Sequence, residues 1–353
     1  MKILYAIQGV GNGHITRAIE LIPNFQKYAD VDILISGRNQ DKGVSLPFNV
    51  QYWFHGITMI LDNEGGIDFT ETFKKNKLKR FFDEIRSLPI EEYDFVISDF
   101  EPVASWAAHM QNIPCYCIGN QHALLDAATP IINRGDMISK FFINKYAPCN
   151  KSFPIHFKRY SSNIEYPIIR QSIRKLEPSN NKHYTVYLPS FSDDALISIF
   201  SQIKEIQWQI FSPNVTNRRT ISNLSIIPLD QELFSFSLAS CEGVVTNAGF
   251  GTTSEAIYFG KKLCVVPIKK QFEQLCNAKA LIELGAHCIK HLNINSVDSI
   301  YEWIHQGQRV HISYPNNAEI IVNKILHFHF TSKEPNDRAK LLLQLQQKRV
   351  AIS

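Results

Sequence analysis

Residues 244–277 read VVTNAGFGTTSEAIYFGKKLCVVPIKKQFEQLCN, and the fold is decided here. The apolar pair Val244 and Val245 leads into Gly249-Phe250-Gly251, and Thr252-Thr253-Ser254-Glu255 opens a helical pattern at once. A strand, a glycine turn and a helix start follow one another directly. Glycine lets the chain turn sharply and a ligand approach the backbone, while the unpaired N–H groups of a helix's first turn attract negative charge. The small hydroxyl residues Thr252, Thr253 and Ser254 add donors without blocking the entrance. Glu255 lies too far along to cap that turn, and a carboxylate so close to a phosphate is comfortable only if it accepts from a ribose diol. Gly249, Gly251, Thr252, Thr253, Ser254 and Glu255 therefore read as a nucleotide diphosphate site.

The second half repeats this logic with a sugar. Leu263 to Pro267 is a short strand of the buried type, and Gln271, Glu273, Gln274 and Asn277 follow where the next helix begins. Amide and carboxylate side chains at one strand end suit a polyhydroxylated ligand. Taken in order, NAGFGTTSEA, a Gly-Lys-x-x-x-x-x-Pro strand and FEQxxNA resemble the donor-nucleotide motif of GT-B glycosyltransferases. Within that fold the stretch is most similar to the UDP-glucuronosyltransferase and peptidoglycan N-acetylglucosaminyltransferase relatives. The resemblance implies an α/β protein with two Rossmann-like doubly wound domains facing a cleft, and a C-terminal helix returning to the first domain. It also implies sugar transfer from a nucleotide donor, with UDP as the expected nucleotide.

The rest of the chain agrees with two domains. Its 353 residues exceed one ordinary domain. With 44% hydrophobic and 20% charged residues the composition is that of a soluble protein. The formal net charge of +4 is too mild to imply nucleic acid as a partner. The 7 cysteines include no CxxC pair, so neither a disulfide framework nor a zinc site is indicated, and a reducing cytoplasm is expected. No apolar run reaches the ~18 residues of a membrane span. Met1 to Ile7 reads as a first buried strand, since Gln8 and a glycine loop interrupt it too early for a signal peptide.

Strand and helix patterns then alternate, as a parallel sheet with helices on both faces requires. Pro23 predicts a kink or early stop in the first helix. Pro154, Pro167 and Pro178 gather where periodicity weakens, marking a linker. The expected division is an acceptor-side domain over 1–160, a linker over 161–182, a donor domain over 183–330, and a terminal helix or tail over 331–353.

The loop Gly9-Val10-Gly11-Asn12-Gly13-His14 first suggests dinucleotide binding, but histidine replaces the third glycine. The second strand also ends in Ser36-Gly37-Arg38 without a ribose-binding acid, leaving only Arg38 for a 2′-phosphate. The loop instead resembles the N-terminal glycine loop of the same glycosyltransferases, with Gly11 and Gly13 beneath the acceptor cleft. Joining a sugar to a hydroxyl requires a proton to leave, and imidazole titrates nearest neutral pH, which makes His14 the candidate general base. Asp99 in SDFEP ends another strand of the same sheet and could hold the imidazole N–H, as the carboxylate of a hydrolase triad does. The resemblance implies the same dyad. The plainer alternative is that His14 and Asp99 merely cap helices.

Glu101, Asn120, Gln121 and His122 also fall near carboxyl ends of strands and read as acceptor-side residues. Ser190 is assigned to the diphosphate loop by the resemblance. Asp30-Val31-Asp32 has the spelling of a metal-binding tripeptide but precedes its strand, so catalysis without metal or cofactor is expected, the UDP-sugar being a substrate. Basic and aromatic residues mix over 73–82 and 140–159, either as solvated faces or as a contact with anionic lipid at the inner face of a membrane. The latter would suit a lipid-linked acceptor. An epimerase of nucleotide sugars and a non-catalytic binder that supports another transferase remain alternatives. The epimerase donor loop has Asp-Ser-Gly-Gly, which Asn247 to Gly251 does not match.

Overall fold

The computed structural model describes residues 1–37, 46–57, 78–132 and 137–332. Arg38, the start of the first basic segment and the tail from Lys333 lie outside them. The first domain alternates β1 (Lys2–Gln8), α1 (Gly13–Gln26), β2 (Asp30–Ser36), β3 (Tyr52–Phe54), α2 (Leu78–Ser87), β4 (Phe95–Asp99), α3 (Pro102–Met110), β5 (Cys115–Gly119), α4 (Met137–Tyr146) and β6 (Lys151–Pro154). All neighbours in its sheet are parallel, in the order β3-β2-β1-β4-β5-β6. The strands are apolar on both faces because helices cover both. Strand β6 lies at the start of the segment read as weakly periodic. It ends in Pro154, which an edge strand tolerates.

A short helix α5 (Gln171–Arg174) leads into the second domain. There follow β7 (His183–Tyr187), α6 (Asp193–Phe200), β8 (Gln207–Ser212), β9 (Arg219–Ile221), β10 (Leu224–Pro228), α7 (Gln231–Ser240), β11 (Gly243–Thr246), α8 (Phe250–Tyr258), β12 (Lys262–Val265), α9 (Phe272–Glu283), β13 (His287–Cys288), α10 (Val297–Gln306) and α11 (Ala318–Thr331). The order is β13-β12-β11-β7-β8-β10-β9, with only β9 antiparallel among the described pairs. Successive connections reverse direction between β1 and β4 in one sheet and between β7 and β11 in the other. Crevices at such points are where open α/β sheets bind ligands.

Helix α1 turns Ile15, Ala18, Leu21, Ile22 and Phe25 inward at helical spacing. Pro23 does not stop it. The Asn24 side-chain amide donates to the Glu20 carbonyl at 2.9 Å beside the ring, supplying a bond where the proline perturbs the ladder. Helix α11 is the element that returns to the first domain, and it begins well before residue 331. It packs on α1 and buries Ile321, Val322, Ile325, Leu326 and Phe330. His329 places its ring 4.3 Å from that of Phe95 and bonds the Tyr116 hydroxyl at 2.9 Å.

The domains share one apolar core. Phe157, wholly buried, stacks on Phe250 of the glycine turn at 4.9 Å, and its carbonyl accepts from the Tyr314 hydroxyl at 2.9 Å. Phe157→Ala should cost about 3–5 kcal/mol through lost burial and a cavity, lowering the urea midpoint of unfolding. It should also loosen the turn that Phe250 anchors, seen as faster amide exchange at Gly249 and Gly251 than in the wild type.

Candidate active site

The carboxyl ends of β1 and β4 lie side by side, with Ile7 opposite Asp99 in register. Beyond β1 the chain turns at Gly11, whose φ of +82° favours glycine, and enters α1 at Gly13. His14 is thereby set beside Asp99, with Nδ1 2.6 Å from Oδ1. Beyond β4, Phe100 adopts a φ of +55°, which strains a bulky side chain. That twist separates Asp99 from Glu101, and the Phe100 ring is wedged 4.9 Å from Tyr146.

Asp99 is wholly buried. Burial alone would push its carboxyl up, but the charges of Arg17 and His14 and their hydrogen bonds outweigh it and hold the group below the usual carboxylate range. Arg17, buried as well, donates Nε–H to Oδ2 at 2.7 Å and a second N–H from Nη2 to Oδ1. An ionised Asp99 can only accept, so His14 Nδ1 donates to it, and in the neutral imidazole the lone pair then lies on Nε2. The 3.1 Å approach of Arg17 Nη2 to His14 Nδ1 is then two donors converging on one oxygen, since Nδ1 cannot also accept. No described residue bonds Nε2, and the His14 side chain is 13% exposed.

Sequence reasoning missed Arg17 although it lies one helical turn after His14 on the same face. It missed Gly119 too, where a Cβ would come within 3.3 Å of Arg17 Nη2 and 2.9 Å of Gln121 Oε1. Glycine there allows β5 to end against the ion pair.

The structure brings acceptor-side and donor-side residues together at Glu273. Its carboxylate accepts from Asn120 Nδ2 at 2.8 Å and Gln121 Nε2 at 3.1 Å, across the two domains, and its charge is felt at Arg17. Two other expected acceptor residues are corrected. Glu101 is wholly buried and caps α3, accepting from Val103 N, Ala104 N and Ser36 Oγ at 2.6–2.8 Å. Its oxygens are consumed inside the domain, and Asp99 has no part in that cap. His122 is buried against Phe100 with Nε2 3.9 Å from Cys149 Sγ.

On the donor side, Gly249 offers no side-chain cap to α8, leaving its first N–H groups to an external acceptor. A Cβ at Gly249 or Gly251 would meet nothing within 4 Å, so a ligand has room there. Thr253 and Ser254 are both buried, and their hydroxyls bond back to the Gly249 and Phe250 carbonyls at 2.6 and 2.7 Å. Of the three hydroxyl residues Thr252 alone is not fully buried. Ser190 donates to Asn247 Oδ1 at 3.2 Å, linking the loops after β7 and β11. Gln274 accepts from Ile268 N at 3.0 Å and so shapes the loop after β12, while Gln271 Oε1 is buried without a partner among the described residues. Both oxygens of Glu255 accept from Arg170, at 2.6 and 2.9 Å, a partner the sequence did not reveal. Asp30 and Asp32 lie at the amino end of β2, where Asp32 accepts from the Tyr93 hydroxyl at 2.9 Å.

The family model described as glycosyl transferase family 1 matches residues 1–304. The chain belongs to that family. A curated relative from Methanosarcina mazei, described as an uncharacterized glycosyltransferase, is 22% identical over 330 residues, covering 81% of this chain and 84% of the relative. Among solved structures, Phytolacca americana UGT2 complexed with UDP-2fluoro-glucose and pterostilbene superposes with a TM-score of 0.57 at 14% identity, covering 98% of each chain. Acinetobacter baumannii MurG gives 0.53 at 14% identity over 98% of this chain and 99% of its own. The glycosyltransferase SnogD from Streptomyces nogalater gives 0.53 at 13% over 93% and 99%. At these identities the likeness carries the fold, which is GT-B.

Two stability predictions follow from the buried charges. Arg17→Met or Asp99→Asn should each cost about 3–5 kcal/mol, because each leaves the other partner unpaired, whereas the double variant should recover part of the loss. Urea unfolding of the three variants tests this. Burial pushes Glu101 up from 4.5 to about 7. A carboxyl raised in the folded state stabilises fully below its unfolded value and loses that contribution as pH rises through about 7. Glu101→Gln should therefore flatten the fall in thermal midpoint over that window.

Proposed function

We propose that this family member transfers a sugar from a UDP-linked donor to a hydroxyl acceptor by direct displacement, inverting the anomeric carbon. The observation that carries the proposal is the Asp99–His14 contact, held by Arg17 and facing a second domain whose Glu273 reaches the same cleft. His14 Nε2 takes the acceptor hydroxyl proton as its oxygen bonds to the anomeric carbon, and the bond from that carbon to the diphosphate breaks with its electrons on UDP. Asp99 keeps the imidazole in the right tautomer and stabilises the imidazolium. Charge building on the diphosphate is met by the N–H groups at the start of α8, so no metal ion is needed there. Ser190, Gly249, Gly251 and Thr252 line that side. Glu255 turns to the ribose diol, Arg170 keeping its carboxylate aimed, and Glu273 with Gln274 meets the sugar. The UDP-sugar in the Phytolacca relative supports the choice of nucleotide.

The acceptor meets the side built by Gly11, Gly13, Asn120 and Gln121. A lipid-borne acceptor at a membrane's cytoplasmic face is supported by α4, where Phe141 is 65% exposed between Lys140 and Lys145. No helix among the described residues is long and apolar enough to cross a membrane.

Thermal stabilisation by UDP, GDP, ADP and NADP, without added magnesium or manganese, tests the donor site first. At a hundred times its dissociation constant a ligand adds about 2.7 kcal/mol. UDP should stabilise selectively, Glu255→Ala should abolish the shift, and His14→Ala should keep it while sugar transfer falls ~10²–10⁴-fold. Undiminished transfer by His14→Ala overturns the base assignment. A shift with another nucleotide alone overturns UDP.

A further inference from the structure

Cys117, His122 and Cys149 come from three segments of the first domain that meet behind its acceptor side. Cys117 lies within β5, His122 in the 3-10 turn Gln121–Leu125 that follows it, and Cys149 just before β6. One ligand atom from each, two thiol sulfurs and an imidazole nitrogen, lies within 4.8 Å of the other two. Cys117 and His122 are buried, while Cys149 is half-buried. His122 Nε2 stands 3.9 Å from Cys149 Sγ, and its Nδ1 is buried with no hydrogen-bond partner among the described residues. Nε2 is the ring nitrogen that approaches Cys149 Sγ and is therefore the candidate ligand atom.

We infer that Cys117, His122 and Cys149 bind a thiophilic divalent cation, zinc by the chemistry of the donor set, distinct from the donor site. Zinc is held by thiolate and imidazole at roughly 2.3 and 2.0 Å, which sets neighbouring ligand atoms about 3.6–3.8 Å apart. The His122–Cys149 edge already has nearly that length, and the other two lie within 4.8 Å. On binding, both thiols lose their protons to solvent, and two thiolates with a neutral imidazole cancel the ion's charge inside the domain. The set has the softness that selects zinc over magnesium or calcium.

Such an ion would pin the Gln121–Leu125 turn to both β5 and the start of β6. The same turn presents Gln121, and next to it Asn120, to Glu273 of the other domain. Its role is to hold the acceptor wall in place. The site is independent of the donor assignment, so it stands or falls separately.

The test is metal content after purification under reducing conditions, followed by zinc and cobalt titration of the chelator-treated full chain. Wild type should carry about one zinc per chain, and the cobalt form should show thiolate-to-cobalt charge transfer with the intense visible bands of a tetrahedral site. Cys149→Ser and His122→Gln should lose both signals with far-UV dichroism unchanged. Should either variant unfold, chelation of the wild type replaces it, and the Gln121–Leu125 turn should then exchange amide hydrogens faster. The inference is overturned if reduced wild type binds neither metal, if a folded Cys149→Ser variant binds them as tightly, or if Cys117 and Cys149 are found joined as a disulfide without metal.

Discussion

Asp99 is taken wholly out of water, and its charge is held there chiefly by Arg17, which meets both of its oxygens. The pair constrains everything around it. Arg17 must reach from α1, so the first helix has to start close to the end of β4, and that is what the glycine loop achieves. Gly119 must lack a side chain for β5 to end against the guanidinium. With its charge met, Asp99 can also accept from His14 without being drawn toward protonation. A neutral imidazole held in this way carries its lone pair on the opposite nitrogen, to which no described residue bonds.

The same constraint governs the approach of the second domain. Glu273 brings a negative charge toward a region already containing Asp99, which would be unfavourable without Arg17 and the amides of Asn120 and Gln121. The two domains are thus joined through hydrogen bonds at Glu273. On the far side of the donor loop Arg170 meets Glu255 in the same manner. Charged side chains at the cleft are thus met by partners from elsewhere in the chain.

Local chemistry made much of this legible. Alternating strand and helix patterns, glycine turns at the ends of β1 and β11, and an ordered series of polar residues after β12 are properties of short segments. Those segments survive folding nearly unchanged. His14, Asp99 and Glu273 stand at strand or helix ends, where the topology of a doubly wound sheet collects them. Pro23 was misleading because a neighbouring side chain can supply the hydrogen bond that a proline disturbs. Helix α11 begins before residue 331, and its apolar face does not by itself say which partner it covers.

By itself, then, the amino-acid sequence determined the two doubly wound sheets and the glycine turns that end β1 and β11. Only tertiary structure decided how the polar groups pair. Thr253 and Ser254 read as ligand donors yet satisfy their own helix, Glu101 reads as an acceptor contact yet caps α3, and Cys117, His122 and Cys149 meet with no spacing to announce them. The reason is that secondary structure answers to neighbours a few residues away. A buried polar atom answers to whatever packing sets beside it, 82 residues away for Arg17 and Asp99 and 153 for Asn120 and Glu273.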